Sequence, residues 1–268
     1  MKNFDKIILP ELVNITSEFK PISLKEMDEV EFMNRTDTKY ILSARQLPAL
    51  LKEASNQYQI LEINKERNFS YRTTYFDTED YHFFREHMKG KLNRFKVRHR
   101  VYEATGISFL EIKFKSNKRR TIKWRIRNEW SLKDKSFNQD AVQFLTENIS
   151  IDADHLKPIL ENNFNRFTLV NNNNKERITI DFNLAFKDFN GKEESLPYLA
   201  IAELKREGFT CQSPFISILK KFELRESGFS KYLIGNALLY NHEYLNALKP
   251  KFLKLDKLKN DYDLFIVA

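Results

Sequence analysis

Polar and apolar residues alternate along much of the chain, and this period of two predicts a protein rich in β-strands. The first alternating segment covers 31–42, and seven more follow it. They lie at 70–77, 92–102, 107–115, 121–130, 166–170, 176–186 and 198–206. Short polar connections, such as 104–106 and 116–119, join several of these segments and are typical of hairpins. About eight antiparallel strands are therefore predicted.

Apolar residues at helical spacing predict helices around these strands. The first thirty residues look helical or irregular, with breaks at Pro10 and Pro21. Further helices are predicted at 43–55, 139–148, 155–162, 213–226 and 230–248. Strands combined with covering helices predict an α+β fold, most simply a closed antiparallel β-barrel with the helices packed outside it.

Nearly every predicted strand has one charged face. In the segment 92–102, basic residues occupy alternate positions and mostly apolar residues lie between them. The other strands repeat this scheme, and the charged faces together carry Arg35, Asp37, Lys39, Arg94, Lys96, Arg98, Arg100, Glu111, Lys113, Lys115, Lys123, Arg125, Arg127, Arg177, Asp181, Glu203 and Lys205. Because alternate side chains point to the same side of a sheet, each strand presents its charges on one surface.

Two architectures fit such a sheet. In the first, the charged face is solvated and the apolar face forms the core, as in many antiparallel sheets. In the second, helices cover the apolar outer face of a barrel and the charged face lines a central tunnel. Enclosed cations need counter-charges, which a polyphosphate chain and a divalent metal held by carboxylates would supply. Periodicity alone does not choose between the two.

Length and composition favour one domain. The chain has 268 residues, 41% of them hydrophobic, and contains no evident linker, so we expect a single domain over 1–268. The segment 249–259 contains five lysines, and we expect 249–268 to form a mobile basic tail or a weak membrane-surface contact. Only 6 glycines are present, which argues against glycine-rich nucleotide-binding loops.

Charge and cysteine content indicate the partners and the compartment. The net charge of +8 favours an anionic partner, although both signs are abundant. The single cysteine, Cys211, excludes an intramolecular disulfide and suits a reducing compartment. No apolar run approaches the ~18 residues of a membrane span, and the N-terminus has no signal-peptide core. We therefore expect a cytoplasmic protein without a transmembrane segment. The five histidines lack metal-binding spacings, so we expect structural or surface roles for them.

Several short motifs, taken in order, resemble the vacuolar transporter chaperone (VTC) domain of the triphosphate tunnel metalloenzymes, a CYTH-like superfamily. They are RTDTKY (35–40), YFDT (75–78), KVRHR (96–100), FLEIK (109–113), NFNR (163–166), ERITID (176–181), AELK (202–205) and FSKYL (229–233). The resemblance runs from about 22 to 245, which sets the expected core of the domain. It implies an antiparallel barrel around a basic tunnel that binds the triphosphate of ATP. Catalytic members transfer the γ-phosphate to a growing polyphosphate chain with Mn²⁺ or Mg²⁺.

The resemblance also implies roles for individual residues. Lys39, Arg98, Arg100, Lys113 and Lys123 correspond to the phosphate-gripping catalytic positions. Arg166, Arg177, Lys205, Ser230 and Lys231 correspond to further substrate-binding positions. Glu203 corresponds to the metal-binding glutamate, and Glu111 is a second candidate carboxylate.

The predicted function is that of an ATP-dependent polyphosphate polymerase, with ATP and polyphosphate or tripolyphosphate as partners. The hydrolase and cyclase branches of the superfamily begin with a Glu-x-Glu-x-Lys strand, whereas residues 31–35 read EFMNR, which favours the polyphosphate branch. Two alternatives stay open: a metal-dependent tripolyphosphate or nucleoside triphosphate hydrolase, and a non-catalytic polyphosphate-binding module. A nucleic-acid binder is disfavoured because carboxylates are interspersed among the basic residues.

Overall fold

A computed structural model of the protein describes residues 4–28, 35–118, 120–131, 133, 136–207, 213–242 and 245–267. The predictions for Cys211, for residues 31–34 of the first strand and for part of the connection 116–119 lie outside these residues. The described strands are β1 (Lys20–Ile22), β2 (Arg35–Ser43), β3 (Gln59–Leu61), β4 (Phe69–Asp77), β5 (Arg94–Tyr102), β6 (Ile107–Lys115), β7 (Thr121–Arg127), β8 (Lys157–Asn171), β9 (Glu176–Lys187) and β10 (Glu193–Glu207).

The described α-helices are α1 (Leu9–Ser17), α2 (Leu24–Asp28), α3 (Leu47–Ala54), α4 (His82–Met88), α5 (Gln139–Asn148), α6 (Pro214–Lys221), α7 (Lys231–Leu239) and α8 (Lys249–Val267). Local sequence explains several of their starts. Ser43 forms a capping box with Gln46, and Pro48 occupies the first turn of α3. Asn138 caps α5 through a hydrogen bond from the Ala141 amide, and Ser230 caps α7 through one from the Leu233 amide.

Eight strands form one antiparallel sheet in the order β2-β10-β9-β8-β4-β5-β6-β7. The short strands β1 and β3 pair in parallel, and β3 also joins β8, so the sheet has ten strands. Within the described residues, the end strands β2 and β7 are not hydrogen-bonded to each other. The predicted α+β class is confirmed, but a barrel closed by hydrogen bonds is not.

The sheet is nevertheless strongly curved. Four strands separate β10 from β6, which would place them about 24 Å apart in a flat sheet. Yet Glu203 of β10 and Lys113 of β6 are close enough to shift each other's pKa. Lys39 of β2 similarly perturbs Lys96 of β5. The two halves of the sheet therefore face each other across the side that carries the charges.

Helices pack on the opposite, apolar side of the sheet. Leu47, Leu50 and Leu51 of α3 belong to the main core cluster, together with Ile178 and Ile180 of β9. A second cluster joins α5 to the apolar residues of β5 and β6, namely Ala141 and Leu145 with Val97, Leu110 and Ile112. This burial of apolar area supplies the main driving force for the fold and leaves the charged side facing away from α3 and α5.

Two predicted helices differ from the structure. Residues 155–162 were predicted to be helical, but Lys157 begins the long strand β8. Leu160 pairs with Tyr75 of β4 and Glu161 pairs with Lys187 of β9, so ladder pairing on both sides overrides the local pattern. The predicted helix 230–248 ends as α7 at Leu239, and a 3₁₀ turn follows at Leu245–Leu248.

The C-terminal segment is also different from the mobile tail expected for 249–268. It forms helix α8, whose Leu255 and Tyr262 are buried. Phe265 lies under the guanidinium of Arg45, 5.0 Å from its carbon, and Tyr262 packs near Tyr198. The lysines that alternate with the apolar residues of α8 made this segment look polar in the sequence, so the contact was not predicted. None of the helices in the described ranges is long and apolar enough to cross a membrane.

Candidate functional site

The charged face, by which we mean the concave side of the sheet that carries Lys39, Arg98, Glu111, Asp181 and Glu203, is largely buried. Arg98 and Arg100 are each 8% exposed, Asp181 is 4% exposed and Glu111 is fully buried. Ionised groups at such depth are costly unless they are paired. This burial excludes a simple solvated surface and favours the inward-facing arrangement.

Strand register aligns the charges across the sheet. Glu203 of β10 lies opposite Lys39 of β2, and Arg166 of β8 lies opposite Asp181 of β9. Arg98 of β5 lies opposite Glu111 of β6. Cross-strand neighbours are about 5 Å apart at their Cβ atoms, close enough for opposite charges to pair. The register thus groups the charged residues that alternate in the sequence around three carboxylates, each of which has cations as neighbours.

Glu111 is the first of these carboxylates. Arg98 contacts its Oε2 through Nε at 2.7 Å and Nη2 at 2.6 Å, and Lys123 of β7 contacts its other oxygen. Burial opposes ionisation, but the charges of Arg98, Arg100 and Lys123 hold the pKa of Glu111 below its usual value. Burial lowers the pKa of Lys123, and Glu111 partly counteracts this effect.

Asp181 is the second carboxylate. Arg166 holds it with a bidentate pair of hydrogen bonds, Nε to Oδ1 at 2.5 Å and Nη2 to Oδ2 at 2.9 Å. Lys231, the first residue of α7, also donates to Oδ2. Despite burial, these two cations keep the pKa of Asp181 below its usual value. Burial lowers the pKa of Lys231 to about 8, with Asp181 acting in the opposite direction.

Glu203 is the third carboxylate. Lys39 contacts its Oε1 at 2.8 Å and Lys205 contacts its Oε2 at 3.3 Å. Although burial opposes ionisation, Lys205 and Lys39 hold the pKa of Glu203 well below its usual value. Its side chain keeps 21% exposure, whereas that of Glu111 keeps none. Glu203 is therefore more accessible to a ligand than Glu111 is.

The remaining predicted site residues occupy the same concave side. Arg100 donates to the Thr73 hydroxyl at 3.3 Å, and burial together with Arg98 lowers its pKa. The positive charge of Arg98, followed by burial, holds the pKa of Lys113 well below its usual value. Arg177 of β9 donates instead to a backbone carbonyl, that of Met27, at 2.7 Å.

Helix α7 brings its N-terminus to this face. Its capping residue Ser230 accepts a hydrogen bond from Lys96 at 3.2 Å, and the next residue, Lys231, reaches Asp181. The Tyr232 hydroxyl donates to Asp77, which also accepts the Phe83 and Phe84 amides at 2.8 and 2.9 Å. Asp77 thus connects the starts of α4 and α7 and fixes the helix that carries Ser230 and Lys231.

Sequence reasoning left three of these participants out of the predicted site. Asp181 lay on a charged strand face with Arg177 and Thr179, and nothing in that pattern indicated that it would pair with Arg166 on another strand. Lys96 had the same alternation signal as Arg98. Asp77 occurs in the motif YFDT, but its role could not be read from the sequence because its partner Tyr232 is 155 positions away in the chain.

The donor chemistry of Glu203 fits a hard divalent cation. Mg²⁺ is commonly bound by one or two carboxylates together with substrate phosphates and waters. Glu203 offers one partly exposed carboxylate beside a cationic surface suited to phosphate. Glu111 fits less well, because its side chain is fully buried. The described part of the chain contains no group of three or more His, Cys, Asp or Glu that would form a metal site without substrate.

Comparisons with known proteins assign the family. The sequence model of the VTC domain matches residues 34–240. No curated protein sequence matches the chain. Among solved structures, a candidate adenylate cyclase from Bacillus halodurans is similar over 74% of this chain and 96% of its own, with 17% identity and a TM-score of 0.48.

Two further solved structures have comparable similarity. A candidate adenylate cyclase from Vibrio parahaemolyticus is 14% identical over 76% of this chain and 99% of its own, with a TM-score of 0.45. A candidate adenylyl cyclase from Hippeastrum with a dominant triphosphatase activity is 14% identical over 78% of this chain and 98% of its own, with a TM-score of 0.45. The family match covers most of the chain and the order of motifs agrees with it. The chain belongs to the VTC domain family.

Proposed function

We propose that this protein is an ATP-dependent polyphosphate polymerase that transfers the γ-phosphate of ATP to a growing polyphosphate chain on its charged face. The observation that carries the proposal is the sharing of each carboxylate on this face by two cations. Glu111, Asp181 and Glu203 each neutralise only part of the charge around them. A polyphosphate is a multivalent anion that would supply the missing negative charge along the whole face.

The residues suit phosphoryl transfer without a protein nucleophile. The reaction depends on alignment and on stabilisation of charge in the transition state. In our proposal, Arg98, Arg100 and Arg166 grip phosphate oxygens with their planar guanidinium groups, and Lys113 and Lys123 act as point charges. Lys39 completes the predicted catalytic set, and Arg177, Lys205, Ser230 and Lys231 complete the predicted substrate-binding set.

A divalent ion, Mn²⁺ or Mg²⁺, would neutralise charge on the triphosphate when bound. We propose that Glu203 holds it, with Lys39 and Lys205 orienting the carboxylate. We propose that Glu111 mainly neutralises the positive charges of Arg98 and Lys123, because both cations contact its carboxylate oxygens.

The acceptor distinguishes the proposed reaction from its nearest alternative. If the terminal phosphate of a chain attacks the γ-phosphorus, the chain grows by one phosphate and ADP leaves. If water attacks, the products are ADP and orthophosphate. The same cationic face could support either reaction, so product analysis has to separate them.

The test incubates the purified protein with ATP and Mn²⁺, resolves polyphosphate on a gel and assays orthophosphate in the same tube. We expect a polymer in the wild type and its loss in Glu203→Gln. Glu103→Gln, which alters an exposed pair with Arg72, serves as the matched control and should keep activity. Orthophosphate without polymer would contradict the polymerase and identify a hydrolase. Tripolyphosphate binding without either product would identify a binding module.

A further inference from the structure

At one end of the charged face, five cations lie together, and the central one has no carboxylate partner among the described residues. Lys96 of β5 is the central member, and Arg94, Arg98, Lys39 and Lys251 are the charges that perturb it most strongly. Within the described residues, Lys96 has no salt-bridge partner, and its hydrogen bond goes to the neutral hydroxyl of Ser230 at 3.2 Å. Burial and these neighbours lower the pKa of Lys96 to about 7.

The strand register adds to this crowding. Lys96 lies directly opposite Lys113 on β6, which lies directly opposite Lys123 on β7. Like charges at directly opposed positions destabilise a sheet. The next row along the same strands, by contrast, places Glu111 between Arg98 and Arg125. The lysine row itself contains no carboxylate, and although Lys123 pairs with Glu111 of the neighbouring row, Lys96 has no such partner within the described residues.

His87 of α4 supplies a second observation, because the charge of Lys96 is among those that act on it. Its Nδ1 is buried and has no hydrogen-bond partner within the described ranges. Burial, followed by the charges of Lys96, Arg94 and Lys251, lowers its pKa to about 2, so the imidazole is neutral at physiological pH. A buried polar atom without a partner is costly unless a ligand or water satisfies it. A phosphate oxygen next to Lys96 could accept a hydrogen bond from this nitrogen.

Helix α8 also takes part, although it lies beyond the family match at 34–240. Lys251 in its first turn donates to the Gly228 carbonyl at 3.0 Å, just before the cap of α7. This contact brings a further positive charge toward Lys96.

We propose that Lys96, His87 and Ser230 form an additional phosphate subsite, which holds a phosphate of a polyphosphate chain longer than three residues, with Arg94 and Lys251 supplying long-range attraction. This inference rests on the proposed function and gives it a substrate preference. Lys96 lies two residues from Arg98 on the same face of β5, roughly 7 Å along the strand. The subsite therefore extends the triphosphate site rather than repeating it.

The test measures binding of tripolyphosphate and of a uniform, longer inorganic polyphosphate by calorimetry at fixed ionic strength. We expect Lys96→Met to weaken binding of the longer chain about tenfold, the effect of losing a hydrogen bond to a charged group. Tripolyphosphate binding should change by no more than about twofold, a long-range charge effect. Lys89→Met, at an exposed lysine, removes the same charge and should leave both affinities nearly unchanged.

A second variant and a competitor strengthen the test. Lys96→Arg should keep the preference for the longer chain, because it keeps a cationic donor. Thermal unfolding of the ligand-free protein checks folding, and Lys96→Met should not lower the melting temperature, since it removes a crowded cation. Orthophosphate should compete poorly, because it does not also occupy the triphosphate site.

Three results would overturn the subsite. They are equal losses for both ligands in Lys96→Met, no loss for either ligand, and competition by orthophosphate as strong as that by the longer chain. These results differ from failure of the proposed function, in which the wild type would bind neither tripolyphosphate nor the longer chain.

Discussion

Replacing Asp181 by Asn should destabilise the ligand-free protein strongly and make its stability depend more on a bound polyanion. In the wild type, the Asp181 side chain is 6% exposed and pairs with the side chains of Arg166 and Lys231, which are 15% and 14% exposed. Breaking a buried ion pair by removing one partner costs about 3 to 5 kcal/mol. Asn keeps one oxygen acceptor for Arg166, so we take the lower end, about 3 kcal/mol.

The expected change is large enough for thermal unfolding. For a chain of this size, about 3 kcal/mol corresponds to a drop in melting temperature of roughly 6 to 12 °C. Tripolyphosphate at about 100 times its Kd should stabilise the wild type by about 2.7 kcal/mol. It should stabilise Asp181→Asn by more, because a phosphate replaces the lost counter-charge and no longer meets the repulsion of Asp181.

Asp80→Asn is the matched control. Asp80 pairs with Arg85 on the surface, where the side chains are 61% and 50% exposed, and such pairs contribute about 0 to 1 kcal/mol. Its melting temperature should stay near that of the wild type with or without tripolyphosphate. Two results would refute the reasoning about counter-charges. One is that Asp181→Asn unfolds at the wild-type temperature. The other is that tripolyphosphate does not change the difference in melting temperature between the wild type and Asp181→Asn.

Three further predictions concern acid stability, the α4–α7 junction and core packing. The folded pKa of Asp181 lies below its ordinary value of 3.8. The stabilisation of the folded state by the ionised carboxylate is therefore full above pH 3.8 and is lost as the pH falls through the folded pKa. Acid titration below about pH 4 should destabilise the wild type more steeply than Asp181→Asn. Asp77→Ala leaves three amides and the Tyr232 hydroxyl without their acceptor, and should lower the free energy of unfolding in urea by about 1 to 3 kcal/mol; an unchanged midpoint would contradict this. Gly235→Ala would place a Cβ 2.5 Å from the Phe186 ring and should cost about 1 to 3 kcal/mol of stability, whereas a stabilised variant would show that the ring moves aside.

The strands and the charged face could be predicted from sequence because both arise from local alternation. The segments 107–115 and 176–186 coincide closely with β6 and β9, and Lys39, Arg98 and Glu203 share the concave side. Side-chain direction in a strand depends only on the parity of the position, so it needs no knowledge of the partner strand. The α+β class followed from the same pattern.

The failures involve contacts between distant parts of the chain. Residues 155–162 contain apolar positions compatible with a helix, and only pairing with β4 and β9 makes them a strand. Tyr262 and Leu255 become core residues only because strand β10 lies beneath α8. The pairing of Arg166 with Asp181 and the position of His87 beside Lys96 likewise depend on register and curvature, which local patterns do not encode.

The most direct test of the central claim, that the charged face binds triphosphate, is a calorimetric titration of tripolyphosphate into the wild type and Arg100→Gln. Within the described residues Arg100 has no salt-bridge partner and donates to a neutral hydroxyl, so its removal breaks no ion pair. Arg72→Gln, at an exposed arginine on neighbouring strand β4, is the control. The account predicts tight binding by the wild type and by Arg72→Gln, and about tenfold weaker binding by Arg100→Gln. Equal affinities in all three proteins, or no binding by the wild type, would contradict it.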